Sequence, residues 1–158
     1  ATTSRRCATR RSERGPRMSI CIRRLAPDDI DDVMTAGHLF DDPPRRDWTA
    51  AFLAHAGHHL LLALVDDEPA GFVTGIECLH PDKGAEMLLY ELGVDDAFRR
   101  RGVGRSLVVA LGDLAVERGC RQMWVPIELD NEAAVATYLS AGAGPPEPAS
   151  TMSWEFEE

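Results

Sequence analysis

The seven residues from Arg99 to Arg105 contain four arginines, Arg99, Arg100, Arg101 and Arg105, in a 158-residue chain whose net charge is −9. Gly102 and Gly104 interrupt the run and Ser106 follows it. Guanidinium groups at that density favour an anion, and the glycines let the backbone approach it closely. Helical spacing begins at Val103, so the free N–H groups of a helix start would face the same anion, and phosphate is the natural ligand. Taken alone, the loop has a second reading as a solvated basic turn kept tight by its glycines. It is neither G-x-x-x-x-G-K-[ST] nor G-x-G-x-x-G. The other reactive side chains are less organised. His55, His58 and His59 are close in sequence, but no carboxylate or cysteine joins them at a ligand spacing, so no metal site is expected. Cys7, Cys21, Cys78 and Cys120 are widely spaced with no C-x-x-C pair, which suits a reducing cytoplasm. Cys120 follows a helix-ending glycine, has no His or Asp beside it, and is not expected to be a nucleophile.

The arginine loop needs elements on both sides to hold it. Residues 19–25 alternate apolar and polar side chains, as a first strand does. Pro27 and the acidic residues Asp28, Asp29, Asp31 and Asp32 mark a helix start, predicting a helix over residues 27–40 that the loop at 41–47 breaks. A second helix is expected over residues 48–56. Three apolar runs then follow, at residues 59–65, 70–79 and 86–94, joined by turns at Asp66 and Asp67 and at residues 81–84. With only short turns between them they must be antiparallel neighbours. Val103, Leu107, Val108, Leu111, Leu114 and Ala115 recur at helical spacing, predicting a helix from the arginine loop to Gly119. A strand at 122–129, a helix from Asn131 to Gly142 and a last alternating strand at 151–158 complete an α+β domain on a mixed, mostly antiparallel sheet.

Length and composition agree with one domain: 17.3 kDa, 44% hydrophobic and 27% charged residues. No apolar stretch approaches the roughly 20 residues a membrane helix needs. Residues 1–17 carry six arginines and one glutamate, leaving 11 basic and 25 acidic residues from Met18 onward. That body should repel nucleic acid and attract cations. The leader at 1–17 is expected to be disordered or vector-derived, ahead of a domain at 18–158. A nucleic-acid arm and an organelle transit peptide are the other readings of its arginines.

At this point the sequence resembles a family. R-x-x-G-x-G after a strand, here Arg99, Gly102 and Gly104, looks like the acetyl-CoA motif of the GNAT N-acetyltransferases. N-x-x-A-x-x-x-Y-x-x-x-G, here Asn131, Ala134, Tyr138 and Gly142, looks like that family's second cofactor motif. The resemblance implies a GNAT fold with about four helices flanking the sheet, and acetyl-CoA (coenzyme A) wedged between two diverging strands. It places the cofactor along the backbone of Leu92, Gly93 and Val94, over Arg99 to Ser106 with Val103 in the loop, and near Asn131 and Tyr138. It also implies direct attack of an uncharged amine on the acetyl thioester. Such chemistry needs a base, oxyanion donors and an acid for the departing thiolate. The candidates are Glu91, the backbone N–H of Gly93 or Val94, and Tyr138. The competing readings are a strand-edge charge for Glu91, packing beneath a helix for Gly93 and a core aromatic for Tyr138.

Within the family the sequence is most similar to the aminoglycoside 3-N-acetyltransferase branch, through LAPDD at residues 25–29, LFDD at 39–42, the passage at 90–108 and the acidic stretch before AVATY. That likeness implies a polycationic amine acceptor, held by carboxylates among Asp41, Asp42, Glu91, Glu128, Asp130 and Glu132, and a possible homodimer. Each carboxylate alone also reads as an exposed loop charge or a helix cap. The passage at 141–150 departs from the branch with a proline-rich run, which puts the last wall of the acceptor site in doubt. A polyamine or peptide acceptor and a non-catalytic acetyl-CoA-binding module are the competing functions. Glu91 and Tyr138 together favour an enzyme.

Overall fold

The structure, a computed structural model, describes residues 19–154 and 156. The leader at 1–17 and Met18 lie outside the described residues. Five strands form one sheet in the order β1 to β5: β1 (Ile20–Arg24), β2 (His58–Val65), β3 (Glu68–His80), β4 (Gly84–Val94) and β5 (Met123–Trp124). The first four run antiparallel to their neighbours, and β5 is parallel to β4. Helices α1 (Ile30–Thr35) and α2 (Arg46–Ala54) connect β1 to β2, α3 (Val103–Glu117) connects β4 to β5, and α4 (Glu132–Ser140) follows β5.

Both faces of the sheet are covered, so the central strands read as continuous apolar runs and not as alternating ones. Leu61, Ala63, Val65 and Val73 join Met87 and Leu89 in packing against Leu107 and Leu111 of α3. Leu60, Leu62 and Phe72 point the other way, onto Val33 of α1 and Leu53 of α2. Within β2 the two sets alternate, which is the pleat dividing one strand between two cores. Between Thr74 and Gly75 of β3 the register with β4 slips: Thr74 faces Glu91 and Gly75 faces Leu89. Tyr90 is therefore an extra residue, a β-bulge, and its side chain is turned out to solvent.

Three expectations change. The first helix shortens to Ile30–Thr35, followed by a 3-10 turn at Gly37–Leu39, because Gly37 and the two prolines after Asp42 cannot extend it. The strand expected over 122–129 pairs with β4 at only two positions. Pro126 lacks a donor for further pairing, and the chain leaves the sheet. The final strand expected at 151–158 is not formed among the described residues. Met152, Trp154 and Phe156 are 84%, 72% and 87% exposed, with no sheet partner beneath them. The alternating pattern was present, but the proline-rich run before it brings the segment to no edge with which it could pair.

The closely spaced histidines have structural work. His59 is 1% exposed. Its Nδ1 accepts from Arg24 Nη2 at 3.1 Å and its Nε2–H donates to Glu77 Oε1 at 2.7 Å, which fixes one tautomer. Burial lowers the His59 pKa, outweighing Glu77, so the ring stays neutral. Burial alone would raise the Glu77 carboxyl, but hydrogen bonds from Arg118 and His59 hold it below its ordinary range. His58 stacks on His55 at 4.0 Å between ring centroids. Among the described residues, no group of three His, Cys, Asp or Glu side chains is placed to hold a metal. No described helix is long and apolar enough to cross a membrane.

Replacing Glu77 by alanine leaves the buried His59 N–H and Arg118 without their acceptor, and is expected to cost about 1–3 kcal/mol in urea unfolding. Since the folded carboxyl titrates below the unfolded one, its contribution is complete above the unfolded pKa and is lost as pH falls through the folded value. The gap between wild type and Glu77→Ala should narrow over that acidic window.

Candidate active site

The site begins where two parallel strands part. β5 pairs with β4 only at Met87↔Met123 and Leu88↔Trp124. Beyond Leu88 no described strand lies along the outer edge of β4; backbone groups alternate between the two edges, so those of Leu92 and the N–H of Val94 have no strand partner there, while Gly93 is turned to Phe72 of β3. The gap contains a cavity of ≈ 230 Å³ lined by Leu89, Val108, Met123, Val125 and Tyr138, with residues 141–143 at its rim. Tyr138 stands on α4 and packs into the core of α3, and burial pushes its phenol up, so it remains protonated. Among the described residues its hydroxyl has no hydrogen-bond partner. The apolar lining and single polar tip suit the thiol end of a long, thin ligand.

At the end of β4 the chain turns into the arginine loop. Asp95 Oδ1 accepts from the N–H of Ala97 at 2.8 Å, capping a 3-10 turn at Asp96–Phe98. Arg99 is held at 2.8 Å to Asp96 and donates through Nε to the Val94 carbonyl at 3.2 Å. Arg105 donates to the Ser140 carbonyl at 2.9 Å, and Arg101 lies over Phe98. These arginines thus shape the loop as well as charging it. Arg100 has φ +56° and Gly102, the residue capping α3, has φ +85°. An added Cβ at Gly102 meets nothing within 4 Å, so the space above the cap is open. The first-turn N–H groups of Val103, Gly104 and Arg105 have no intrahelical acceptor and face that opening, whereas the Ser106 N–H bonds to the Gly102 carbonyl at 2.9 Å. Gly104 serves packing: a Cβ there would stand 3.3 Å from Thr137 of α4. A cationic loop, an open cap and a helix N-terminus fit a pyrophosphate, and the splayed strands beside them fit the pantetheine arm of coenzyme A.

The opposite face of β4 carries the carboxylates. Gly93 is where the chain after α1 crosses the strand, since an added Cβ would lie 2.8 Å from the Leu39 carbonyl oxygen and 2.5 Å from Phe72. Phe40 then stacks on Phe72 at 4.0 Å, and His38 Nε2 lies 3.5 Å from Asp95 Oδ2. Held at these points, the loop carries Asp41 towards Glu91. Burial, and then the charge of Asp41, raise the Glu91 pKa. Asp41 thus lies within electrostatic reach of Glu91. Asp42, next to Asp41, and Glu128 and Asp130, together on the passage before α4, are exposed. Asn131 caps α4, its Oδ1 accepting from the Ala134 N–H at 3.1 Å. Sequence reasoning missed Asp95 and His38, whose contact spans 57 positions, and the bulge at Tyr90, which is a property of two strands and not of one.

The pattern of the Acetyltransferase (GNAT) family matches residues 27–143. The [ribosomal protein bS18]-alanine N-acetyltransferase of Salmonella typhimurium is 40% identical over 57 residues, 36% of this chain and 38% of that protein. The chain spans 34% and 38% of the length of the first two curated relatives it matches. In three dimensions it is similar to an aminoglycoside acetyltransferase, meta-AAC0020, from an uncultured soil metagenomic sample, with a TM-score of 0.80 at 20% identity over 87% of this chain and 97% of that one. It is also similar to aminoglycoside N-acetyltransferase AAC(6′)-Iy in complex with CoA, with a TM-score of 0.70 at 20% identity over 88% and 97% of the two chains. At these identities the two structures bear on the fold alone.

Gly102→Val forces a β-branched residue to positive φ in the open cap, and should weaken coenzyme A binding by roughly tenfold or more in calorimetric titration. Glu91→Gln should raise the melting temperature near pH 8. A carboxyl whose folded pKa is raised stabilises fully only below its unfolded pKa and loses that contribution as pH rises through the folded value. The advantage of the glutamine should therefore shrink as pH is lowered through that window.

Proposed function

This chain belongs to the acetyltransferase (GNAT) family, and from that premise we propose that it transfers the acetyl group of acetyl-CoA to a primary amine of a polycationic small molecule, the 3-amino group of an aminoglycoside. The observation that carries this reading is the half-buried Glu91, on the face of β4 away from α3, at the level where β4 and β5 have separated and within electrostatic reach of Asp41. Two neighbouring carboxylates in an acidic body attract an acceptor with several ammonium groups. Aminoglycosides are such acceptors, and two structures of similar fold are aminoglycoside acetyltransferases.

Acetyl-CoA, when bound, supplies the acetyl group as a reactive thioester. Glu91 removes the proton from the incoming ammonium, since a neutral amine is the nucleophile. Its raised pKa makes it a better base than an ordinary surface carboxylate. Asp41 keeps the cation in place while that proton leaves. The N–H of Val94, on the edge of β4 that faces the gap, polarises the acetyl carbonyl. Tyr138, kept neutral by burial, returns a proton to the departing sulfur. The loop at 99–106 holds the pyrophosphate and contributes binding, not chemistry.

The test is acetyl-CoA consumption and thiol release across aminoglycosides, spermidine and basic peptides. Turnover of gentamicin-like compounds with acetylation at the 3-amino group is the expected result. Turnover confined to spermidine or to peptides would replace the aminoglycoside acceptor. Binding of acetyl-CoA with no turnover anywhere would leave a non-catalytic module. Glu91→Gln should lower kcat about 10²–10⁴-fold with acetyl-CoA affinity retained. Asp41→Asn removes one cause of the raised Glu91 pKa, so the acid limb of kcat/KM should move to lower pH and the acceptor KM should rise.

A further inference from the structure

A second cavity, of ≈ 330 Å³, lies at the opposite edge of the sheet from the β4–β5 gap, between the edge strand β1 and α3. Ile22, Leu61 and Leu114 give it an apolar floor. Its charges are divided, with Arg24 on the strand wall and Asp113 and Glu117 on the helix wall. Arg24 is fixed from behind: its Nη2 donates at 3.1 Å to Nδ1 of His59, a fully buried ring. Burial keeps that ring neutral, so the hydrogen bond orients the guanidinium without cancelling its charge. Across the groove, Asp113 and Glu117 stand one helical turn apart, where like charges repel. Glu117 is within electrostatic reach of Arg118, but Arg118 gives its hydrogen bonds to Glu77. Among the described residues none of the three cavity charges forms an ion pair. A cation and two carboxylates thus share one cavity and are kept apart by the elements that carry them.

We propose that this groove binds a short zwitterion whose carboxylate and ammonium are separated by an apolar body, as in an ω-amino acid or an apolar dipeptide. The carboxylate pairs with the Arg24 guanidinium, which keeps donors free after His59 has taken one. The ammonium lies between Asp113 and Glu117 and relieves their repulsion. The apolar body covers Ile22, Leu61 and Leu114. Neither charge alone is enough: a simple carboxylate meets two like charges, and a simple amine leaves Arg24 unmatched. The volume is at the lower end of the range for ligand pockets, which limits the occupant to a small molecule. None of these residues takes part in the acetyl transfer, so the site stands apart from the acceptor reading above.

The experiment follows the backbone amides of the full chain by proton–nitrogen NMR during titration with ε-aminocaproate and with leucyl-leucine. Caproate and hexylamine, each lacking one of the two charges, are the controls. Saturable shifts confined to β1 and the second half of α3 are expected, with a zwitterion bound roughly tenfold more tightly than either control. The probe that binds more tightly tells an ω-amino acid from a dipeptide. The double variant Asp113→Asn with Glu117→Gln should weaken zwitterion binding about tenfold and strengthen that of caproate, whose carboxylate no longer meets like charges. Arg24→Gln should bring the zwitterions to the level of hexylamine. Because Arg24 also serves His59, thermal melting is run on both variants, and the helix-wall variant decides if Arg24→Gln has lost its fold. Shifts at Asp41 and Glu91 instead would mean that the probes enter as acceptor amines, and would overturn the proposal. Hexylamine bound as tightly as the zwitterions, or no saturable shift at millimolar concentrations, would overturn it as well.

Discussion

The structure depends on β4 having two unlike edges. On one side it is bonded to β3 over Gly71↔Val94 to His80↔Gly84, and on the other it keeps β5 for only two residues. An unsatisfied strand edge inside a protein is costly unless something polar takes its place. Here the freed edge is the wall of a cavity, and its backbone groups are available to a ligand with amide groups of its own. The same divergence makes room for Tyr138 to reach the gap from α4. Had β5 continued to pair over the expected eight residues, it would have covered the edge of β4 where the cavity now opens.

Charge is distributed to match that geometry. The body is strongly acidic, and its basic residues are concentrated where the path of the chain itself is sharpest, at Arg99 to Arg105. Within the loop, Arg99 is engaged by Asp96 and the Val94 carbonyl, Arg105 by the Ser140 carbonyl, and Arg101 lies over Phe98. Fixing the loop before a ligand arrives reduces the ordering that binding must impose. Opposite it, Glu91 is partly desolvated and within electrostatic reach of the exposed Asp41, so its ionised form is disfavoured, as is common for carboxylates that do chemistry. The two sides meet at Asp95, whose one oxygen caps the turn into the arginine loop while the other lies 3.5 Å from His38 on the acceptor side.

Local signals carried much of this arrangement. The turns at Asp66 and Asp67 and before Gly84 made β2, β3 and β4 antiparallel neighbours, because a short connection admits no other geometry. The 3.6-residue recurrence from Val103 to Ala115 gave α3, and Gly102 before it was legible as a place where the backbone can approach an anion. Glu91 and Asp41 were each named as candidates on different segments. Nothing in either segment stated that they would come within reach of each other, since that approach is set by Gly93 admitting the Leu39 carbonyl and by Phe40 stacking on Phe72.

By itself, the sequence determined the element types, the antiparallel run, the phosphate-type loop and the residue chemistry available, all of which depend on side chains within a few positions of one another. The tertiary structure alone decided how far β5 follows β4, that Tyr90 is extra to the register, and that residues 151–154 pair with nothing described. Each of these is set by which backbone groups from distant segments find partners, and a period read along one segment contains no term for the segment beside it.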